Sequence, residues 1–373
     1  MMEFATGRVR FRIALAALML AASPAIAAPG EPIAGHYICV FKPGPISAGL
    51  EARQSVAEVG GSVTHVYSYA IKGFAAAMSE TAAARIVERN RLIAYCEQDR
   101  LAGIGLVGRP GGGTITQPPQ TVGWNISRVG GPGDGTGRTA WVIDSGIDLD
   151  HPDLVTDAAR SRSFLARYPS PEDANGHGTH VAGIIAARNN LIGVVGVAAD
   201  ATVISLRVLD KRGSGPDSGV IAAIDYLAGQ VDLGFASSGD VANLSLITSA
   251  MESMDAAVVG LASRGVRVTI AAGNSAANAY NYSPARADGA NIYTVAAIED
   301  GDIWAYYSNY GRPPVDYAEP GSAIVSTVLN GGYGSKTGTS MAAPHLAGIL
   351  LLGSAVQGGS VSNRGLTYPI GVR

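Results

Sequence analysis

Three short segments carry the groups a hydrolase needs: a carboxylate, an imidazole and a hydroxyl. Asp144 follows the apolar run Trp141-Val142-Ile143, so its carboxylate emerges from the end of a buried strand. His177 sits in Asn175-Gly176-His177-Gly178-Thr179-His180-Val181-Ala182-Gly183, where small neighbours let backbone approach the imidazole. Ser340 stands in Gly338-Thr339-Ser340-Met341-Ala342-Ala343-Pro344-His345. It occupies the first turn of a helix, where free N–H groups and the positive end of the dipole favour a developing anion. Taken singly, each has an ordinary alternative: a strand-end Asp caps a loop, a lone His is a satisfied core residue, and a Ser before a helix is an N-cap. Taken together, a carboxylate, an imidazole and a hydroxyl are the set that nucleophilic hydrolysis uses.

Positioning such groups requires a large core. The chain has 373 residues, 47% hydrophobic and 15% charged, which excludes disorder and allows about two domains. A net charge of -3 leaves no basic field for phosphate backbones, so nucleic acid is not an expected partner. From Gln120 onward, continuous apolar runs (Thr139–Ile143, Thr202–Arg207, Val241–Leu246, Val266–Ala271, Ile292–Ala296) alternate with helical runs (His177–Arg188, Gly219–Leu227, Met251–Arg264, Met341–Leu352). This alternation predicts an α/β domain over residues 120–373, with a parallel sheet covered by helices on both faces. Its ligand site belongs at the carboxyl ends of the strands.

Residues 28–102 read as a separate small α+β domain. The pattern is strand His36–Lys42, helix Ala48–Val59, strands Val63–Tyr69 and Gly73–Met78, helix Glu80–Arg89 and strand Leu92–Glu97, a βαββαβ order of ferredoxin-like type. Residues 103–119, rich in Gly and Pro, read as a linker. Residues 1–27 read as an export signal: Arg8, Arg10 and Arg12 precede the apolar run Ile13–Ala22, and Ala25-Ile26-Ala27 supplies a small-residue cleavage site. The mature protein is therefore expected outside the cytoplasm, without a membrane span. The two cysteines, Cys39 and Cys96, both lie in the small domain, so no cysteine nucleophile or cysteine-ligated metal exists downstream. They fall in the first and fourth strands, which are neighbours in this order. A bridge needs Cα atoms within about 7 Å, and strand register is not readable from sequence, so a disulfide and two small core residues both remain open.

The three motifs resemble those of the subtilisin-like serine proteases (subtilases), from about Gln120 to about Leu352. Ala271-Ala272-Gly273-Asn274 and Asn281-Tyr282-Ser283-Pro284-Ala285 are particularly similar to the proteinase K branch. The resemblance implies a serine endopeptidase in which Ser340 is the nucleophile, His177 the general base and Asp144 the residue that orients and stabilises the imidazole. It implies that Asn274 and the Ser340 backbone N–H bind the oxyanion. It also implies that a peptide substrate adds as a strand between Gly213-Ser214-Gly215 and Ser245-Leu246-Ile247, beside Gly273. Ile247-Thr248 replaces a usual pair of glycines, and a branched residue there should reshape the pocket for the side chain before the scissile bond.

The same resemblance implies structural Ca2+ and no catalytic metal. Its ligands would be the side chains of Gln120, Asp153 and Asn190 with carbonyls of Arg188, Ile192 and Val194, and a second site would involve Asp316. The pair His177 and His180 lacks the glutamate and spacing of a zinc motif, and His180 and His345 read as buried structural groups. The small domain resembles the family's inhibitor propeptide, which assists folding and occupies the cleft until it is cut away between about Arg100 and Gly113. The final helices usual in the family look abridged. Expected partners are protein or peptide substrates and the chain's own propeptide, with the enzyme a monomer. The alternative from another class is a catalytically inactive relative serving as a binding or inhibitory module. The joint presence of Asp144, His177, Ser340 and Asn274 speaks against it.

Overall fold

The structure is a computed structural model that describes residues 28–105 and 117–373. The export-signal reading, residues 1–27, and most of the linker, 106–116, lie outside the described residues.

The first unit contains β1 (Pro32–Phe41), α1 (Ala48–Ala57), β2 (Ser62–Tyr67), β3 (Gly73–Ala77), α2 (Glu80–Arg89) and β4 (Ile93–Gly103). Its sheet is antiparallel in the order β4-β1-β3-β2. Successive residues of a strand face opposite sides. Thus Tyr37, Cys39 and Phe41 pack on Ala52 and Val56 of α1 and Ile86 of α2, while Ile38 joins Tyr67, Ala75 and Ala102 in a core shared with the second unit. Cys39 lies opposite Cys96 across β1 and β4, and the two form a disulfide with Cα atoms 4.0 Å apart. β4 runs six residues beyond Glu97, so Gly103, read from sequence as linker, is strand. Its partner strand lies in the other unit.

The second unit contains β5 (Thr139–Asp144), α3 (His177–Ala186), β6 (Thr202–Arg207), β7 (Ser214–Pro216), α4 (Asp217–Asp232), β8 (Val241–Leu244), α5 (Glu252–Ala262), β9 (Arg267–Ala271), β10 (Ile292–Glu299), β11 (Val315–Pro320), β12 (Ile324–Val328), β13 (Gly332–Lys336), α6 (Thr339–Leu352), β14 (Val356–Asn363) and β15 (Leu366–Val372). Strands β11-β10-β9-β8-β5-β6 form a parallel sheet in that order. Alternate residues feed two cores. Trp141 and Ile143 of β5 pack with Ile224 of α4 and Leu261 of α5, whereas Ala140 and Val142 pack with Ile185 of α3 and Leu346 of α6. Burial on both faces is why these strands read as unbroken apolar runs. The chain runs outward from β5 to β6, then crosses to β8 on the other side, so β5 marks the topological switch point.

Two elements depart from the sequence reading. β11 was not anticipated, and α6, after which the family's final helices looked abridged, is followed by a hairpin, β14–β15, that the sequence reading did not include. Tyr368 of the hairpin is fully buried with its ring centroid 4.7 Å from that of Trp304, and its hydroxyl accepts the Gly311 N–H at 3.0 Å.

Candidate active site

Asp144 is the last residue of β5, and His177 is the first of α3. The His177 Nδ1–H donates to the Asp144 carboxylate at 2.8 and 3.0 Å, and both side chains are buried. That bond keeps the proton on Nδ1 and leaves Nε2 free to act as a base. Glycine is required on both sides of the imidazole. Gly176 takes φ 88° at the helix start, and a Cβ on Gly178 would run into the Gly146 carbonyl oxygen.

The link between these two elements is Asp173, which sequence reasoning missed. One of its oxygens accepts the Ser145 hydroxyl and the N–H groups of Asn175 and Gly176; the other accepts the Thr179 N–H and hydroxyl. Ser145 in turn accepts the Gly178 N–H at 3.0 Å. The clue was local: an Asp a few residues before a Gly-flanked helix start is placed to make an Asx turn. We expect Asp173→Ala to lower kcat by roughly 10- to 100-fold through misplacement of His177, with little change in KM, because the side-chain hydrogen bonds of Asp173 go to Ser145 and to the start of the His177 helix. A variant whose melting temperature falls but whose kcat is intact contradicts this.

Ser340 lies in the first turn of α6. Its hydroxyl donates to the Ser245 carbonyl at 3.2 Å, and among the described residues no hydrogen bond joins it to His177. The Ser340 carbonyl accepts the Ser245 hydroxyl at 2.9 Å. This acceptor is free because Pro344, four residues on, has no N–H with which to close the helical bond. His345 is the buried structural group expected: burial pushes its pKa down to about 4. Nδ1 donates to the Met341 carbonyl, which leaves Nε2 to accept the Asn125 amide. His180 Nε2 faces the carbonyls of Ile324 and Gly334, and burial holds its pKa well below the usual range.

Asn274 follows β9, and its orientation is fixed by what its oxygen accepts. The Thr339 N–H and hydroxyl each donate to Asn274 Oδ1 at 2.9 Å, so the Nδ2 group is the one presented to the cleft. It donates to the carbonyl of Gly105. Thr339, unnoticed in the sequence, also positions Gly273 by accepting its N–H at 3.0 Å.

Several of the residues read as flanking a substrate strand bond to one segment. Leu101, Ala102 and Gly103 of β4 pair antiparallel with Pro216, Gly215 and Ser214. On the other side Gly103 exchanges two bonds with Ile247, at 2.9 and 3.0 Å, and the Ile104 N–H donates to the Gly213 carbonyl at 3.1 Å. Leu246 does not face this groove; its side chain is buried in the core. The first unit is further anchored by carboxylates aimed at helix starts, where unpaired N–H groups await an acceptor. Glu97 accepts the Ser253 N–H at the start of α5, and Asp99 accepts the Ser218 N–H and hydroxyl at the start of α4. In the reverse direction Asp225 accepts N–H groups of Ser68, Tyr69 and Ala70.

The residues read as a calcium site also come together. Gln120 Nε2 donates to the carbonyls of Arg188 and Val194, and Asn190 Nδ2 donates to Asp153. Asn190 Oδ1 accepts the Ile192 N–H, and the Val194 N–H reaches Asp153. Two amides thus turn their NH2 groups toward a cluster of oxygens, and burial raises the Asp153 pKa to about 6. A buried carboxylate bonded to the reversible amide of Asn190, with the carbonyls of Arg188 and Val194 gathered by the amide of Gln120, fits a hard cation that takes oxygen ligands once the amides turn their oxygens inward. Asp316 is a weaker case. It accepts the Thr294 N–H, and burial likewise raises its pKa to about 6.

The Subtilase family profile matches residues 135–362. Proteinase R of Parengyodontium album is 34% identical over 338 residues, covering 88% of this chain and 81% of that protein. Alkaline serine exoprotease A of Vibrio alginolyticus is 35% identical over 342 residues, 86% of this chain and 60% of that protein. A solved structure, of a cold-adapted subtilisin-like serine proteinase, superimposes with a TM-score of 0.52 at 41% identity, over 59% of this chain and 76% of that one. The chain belongs to the subtilase family of serine-type endopeptidases.

Proposed function

We propose that the chain is the precursor of a secreted serine endopeptidase that cuts itself free of its first unit. The observation that carries this reading is the segment Leu101–Gly105, seated as an added strand between β7 and Ile247 with its final carbonyl on Asn274. In this reading Ser340 Oγ rotates from the Ser245 carbonyl toward His177 and attacks the Gly105 carbonyl. His177 Nε2 takes the hydroxyl proton, and Asp144 stabilises the imidazolium. Asn274 Nδ2 and the Ser340 N–H stabilise the oxyanion. Collapse breaks the Gly105–Leu106 bond as His177 returns the proton to the leaving amine, and water then hydrolyses the acyl-enzyme with His177 again as base. The alignment with Proteinase R takes in 88% of the chain, so it extends upstream of the family match at residue 135. The export signal read over residues 1–27 supports secretion.

Intact mass measurement tests the cut. A released fragment ending at Gly105 is expected, and one ending elsewhere moves the scissile bond. Labelling of Ser340 by a fluorophosphonate separates an active enzyme from an inactive relative.

Calcium would be held by Asp153, Gln120 and Asn190 with carbonyls of Arg188, Ile192 and Val194, where it would supply positive charge to Asp153 and tie Gln120 to the Asn190 loop. A ligand bound only by the native state at a hundredfold excess over its Kd adds about 2.7 kcal/mol. At roughly 2–4 °C per kcal/mol, the melting temperature in millimolar Ca2+ should exceed that in EDTA by about 5–10 °C. Coincident melting curves count against the site.

A further inference from the structure

We infer that Ile247 closes the pocket beside the reacting carbonyl and restricts the enzyme to bonds preceded by glycine or another very small residue. The inference rests on the reading of Leu101–Gly105 as a bound substrate strand. Leu246 and Ile247 are consecutive, and only Ile247 is bridged to the strand in the cleft, through Gly103. Leu246 enters the core, and Ile247 is left on the side of the cleft strand, buried yet outside the packed core clusters. Its backbone pairs with Gly103, two residues before the carbonyl held by Asn274. Its side chain reaches across to Gly273. A Cβ built on Gly273 would lie 3.5 Å from Ile247 Cδ1. Gly273 adjoins Asn274, so Ile247 spans the two segments that flank the residue donating the reacting carbonyl.

The occupant agrees with this closure. Gly105 has no side chain, and a Cβ added there would lie 3.1 Å from Asn274 Nδ2. Even alanine therefore needs a shift of a few tenths of an ångström, and an aromatic ring needs the volume that Ile247 fills. Ala102, three residues upstream, is fully buried in the shared core, a second position where the strand carries a small side chain. The substrate class is thus extended peptide with Gly or Ala before the cut, which distinguishes this chain from a protease with an open apolar pocket there.

The test uses mature enzyme and peptide anilides that differ only in the last residue: Gly, Ala, Leu or Phe. A hydrophobic pocket discriminates one methylene by roughly 10- to 200-fold. Wild type should therefore favour Ala over Phe in kcat/KM by at least about tenfold, and Ile247→Gly should reverse the order. Ile247→Ala, a milder change, should move the ratio the same way. In the precursor, Gly105→Phe should block processing, and Gly105→Phe combined with Ile247→Gly should recover it. A wild type that prefers Phe, or a ratio unmoved by both Ile247 variants, overturns the inference while leaving the endopeptidase reading intact. No hydrolysis of any anilide together with no fluorophosphonate labelling overturns both.

Discussion

Ser340→Ala should accumulate as an uncut precursor that retains residues 28–105, with residual peptide hydrolysis reduced by about 10⁶-fold, the loss a subtilisin suffers on losing its own triad serine. The argument is one of atoms. Without Oγ there is no acyl-enzyme, and His177 has no proton to move. Because the same groups are proposed to cut the Gly105–Leu106 bond, processing and hydrolysis should fail together. His177→Ala should cost about as much, and the double variant little more, since the residues act as a unit. The check is intact mass of protein secreted from a protease-deficient host. Normal maturation of Ser340→Ala would show that another protease, and not the chain itself, makes the cut.

Asn274→Ala should lose roughly 100- to 1,000-fold in kcat with a smaller change in KM, a range taken from a subtilisin's oxyanion amide. The site complicates this simple deletion, because Asn274 Oδ1 accepts both the N–H and the hydroxyl of Thr339, a fully buried residue. Leaving a buried donor unpaired costs about 1–3 kcal/mol and would loosen the start of α6. Asn274→Asp separates the two effects. It keeps the acceptor for Thr339 and removes the donor to the oxyanion, so its kcat should fall as far as that of Asn274→Ala while its stability stays closer to wild type. If steady-state kinetics show less than a tenfold loss in both variants, Asn274 has no oxyanion role.

The candidate residues Asp144, His177 and Ser340 stood out because each sits in a short local pattern: an acid at the end of an apolar run, an imidazole among glycines, a hydroxyl at a helix start. The central sheet was legible because burial on both faces writes continuous apolar runs. β11 was not, since Val315–Pro320 reads Val-Asp-Tyr-Ala-Glu-Pro and hides a fully buried Glu319, whose carboxylate accepts the Gly371 N–H from the terminal hairpin. That hairpin escaped notice for a related reason. β14 carries Gly358 and Gly359 and alternates mostly polar residues. The end of β4 was taken for linker because its order comes from pairing with Ser214–Pro216 more than a hundred residues away, a contact no local pattern records. Asp173 and Thr339 act only by hydrogen bonds that close after folding, and the Cys39–Cys96 pairing depends on register, which composition does not encode.

On the proposed reading, the strand in the cleft is covalently part of the molecule it blocks, and this makes inhibition a matter of concentration. Before the cut, rebinding of Leu101–Gly105 after any transient opening is unimolecular and so does not depend on protein concentration. Breaking the Gly105–Leu106 bond alters none of the contacts made by Glu97, Asp99 or Asp225. It removes only the tether. From that moment occupancy of the cleft follows the real concentration of the released unit. A precursor secreted into a large volume would then gain activity by dilution, whereas the same molecules kept crowded would hold one another silent.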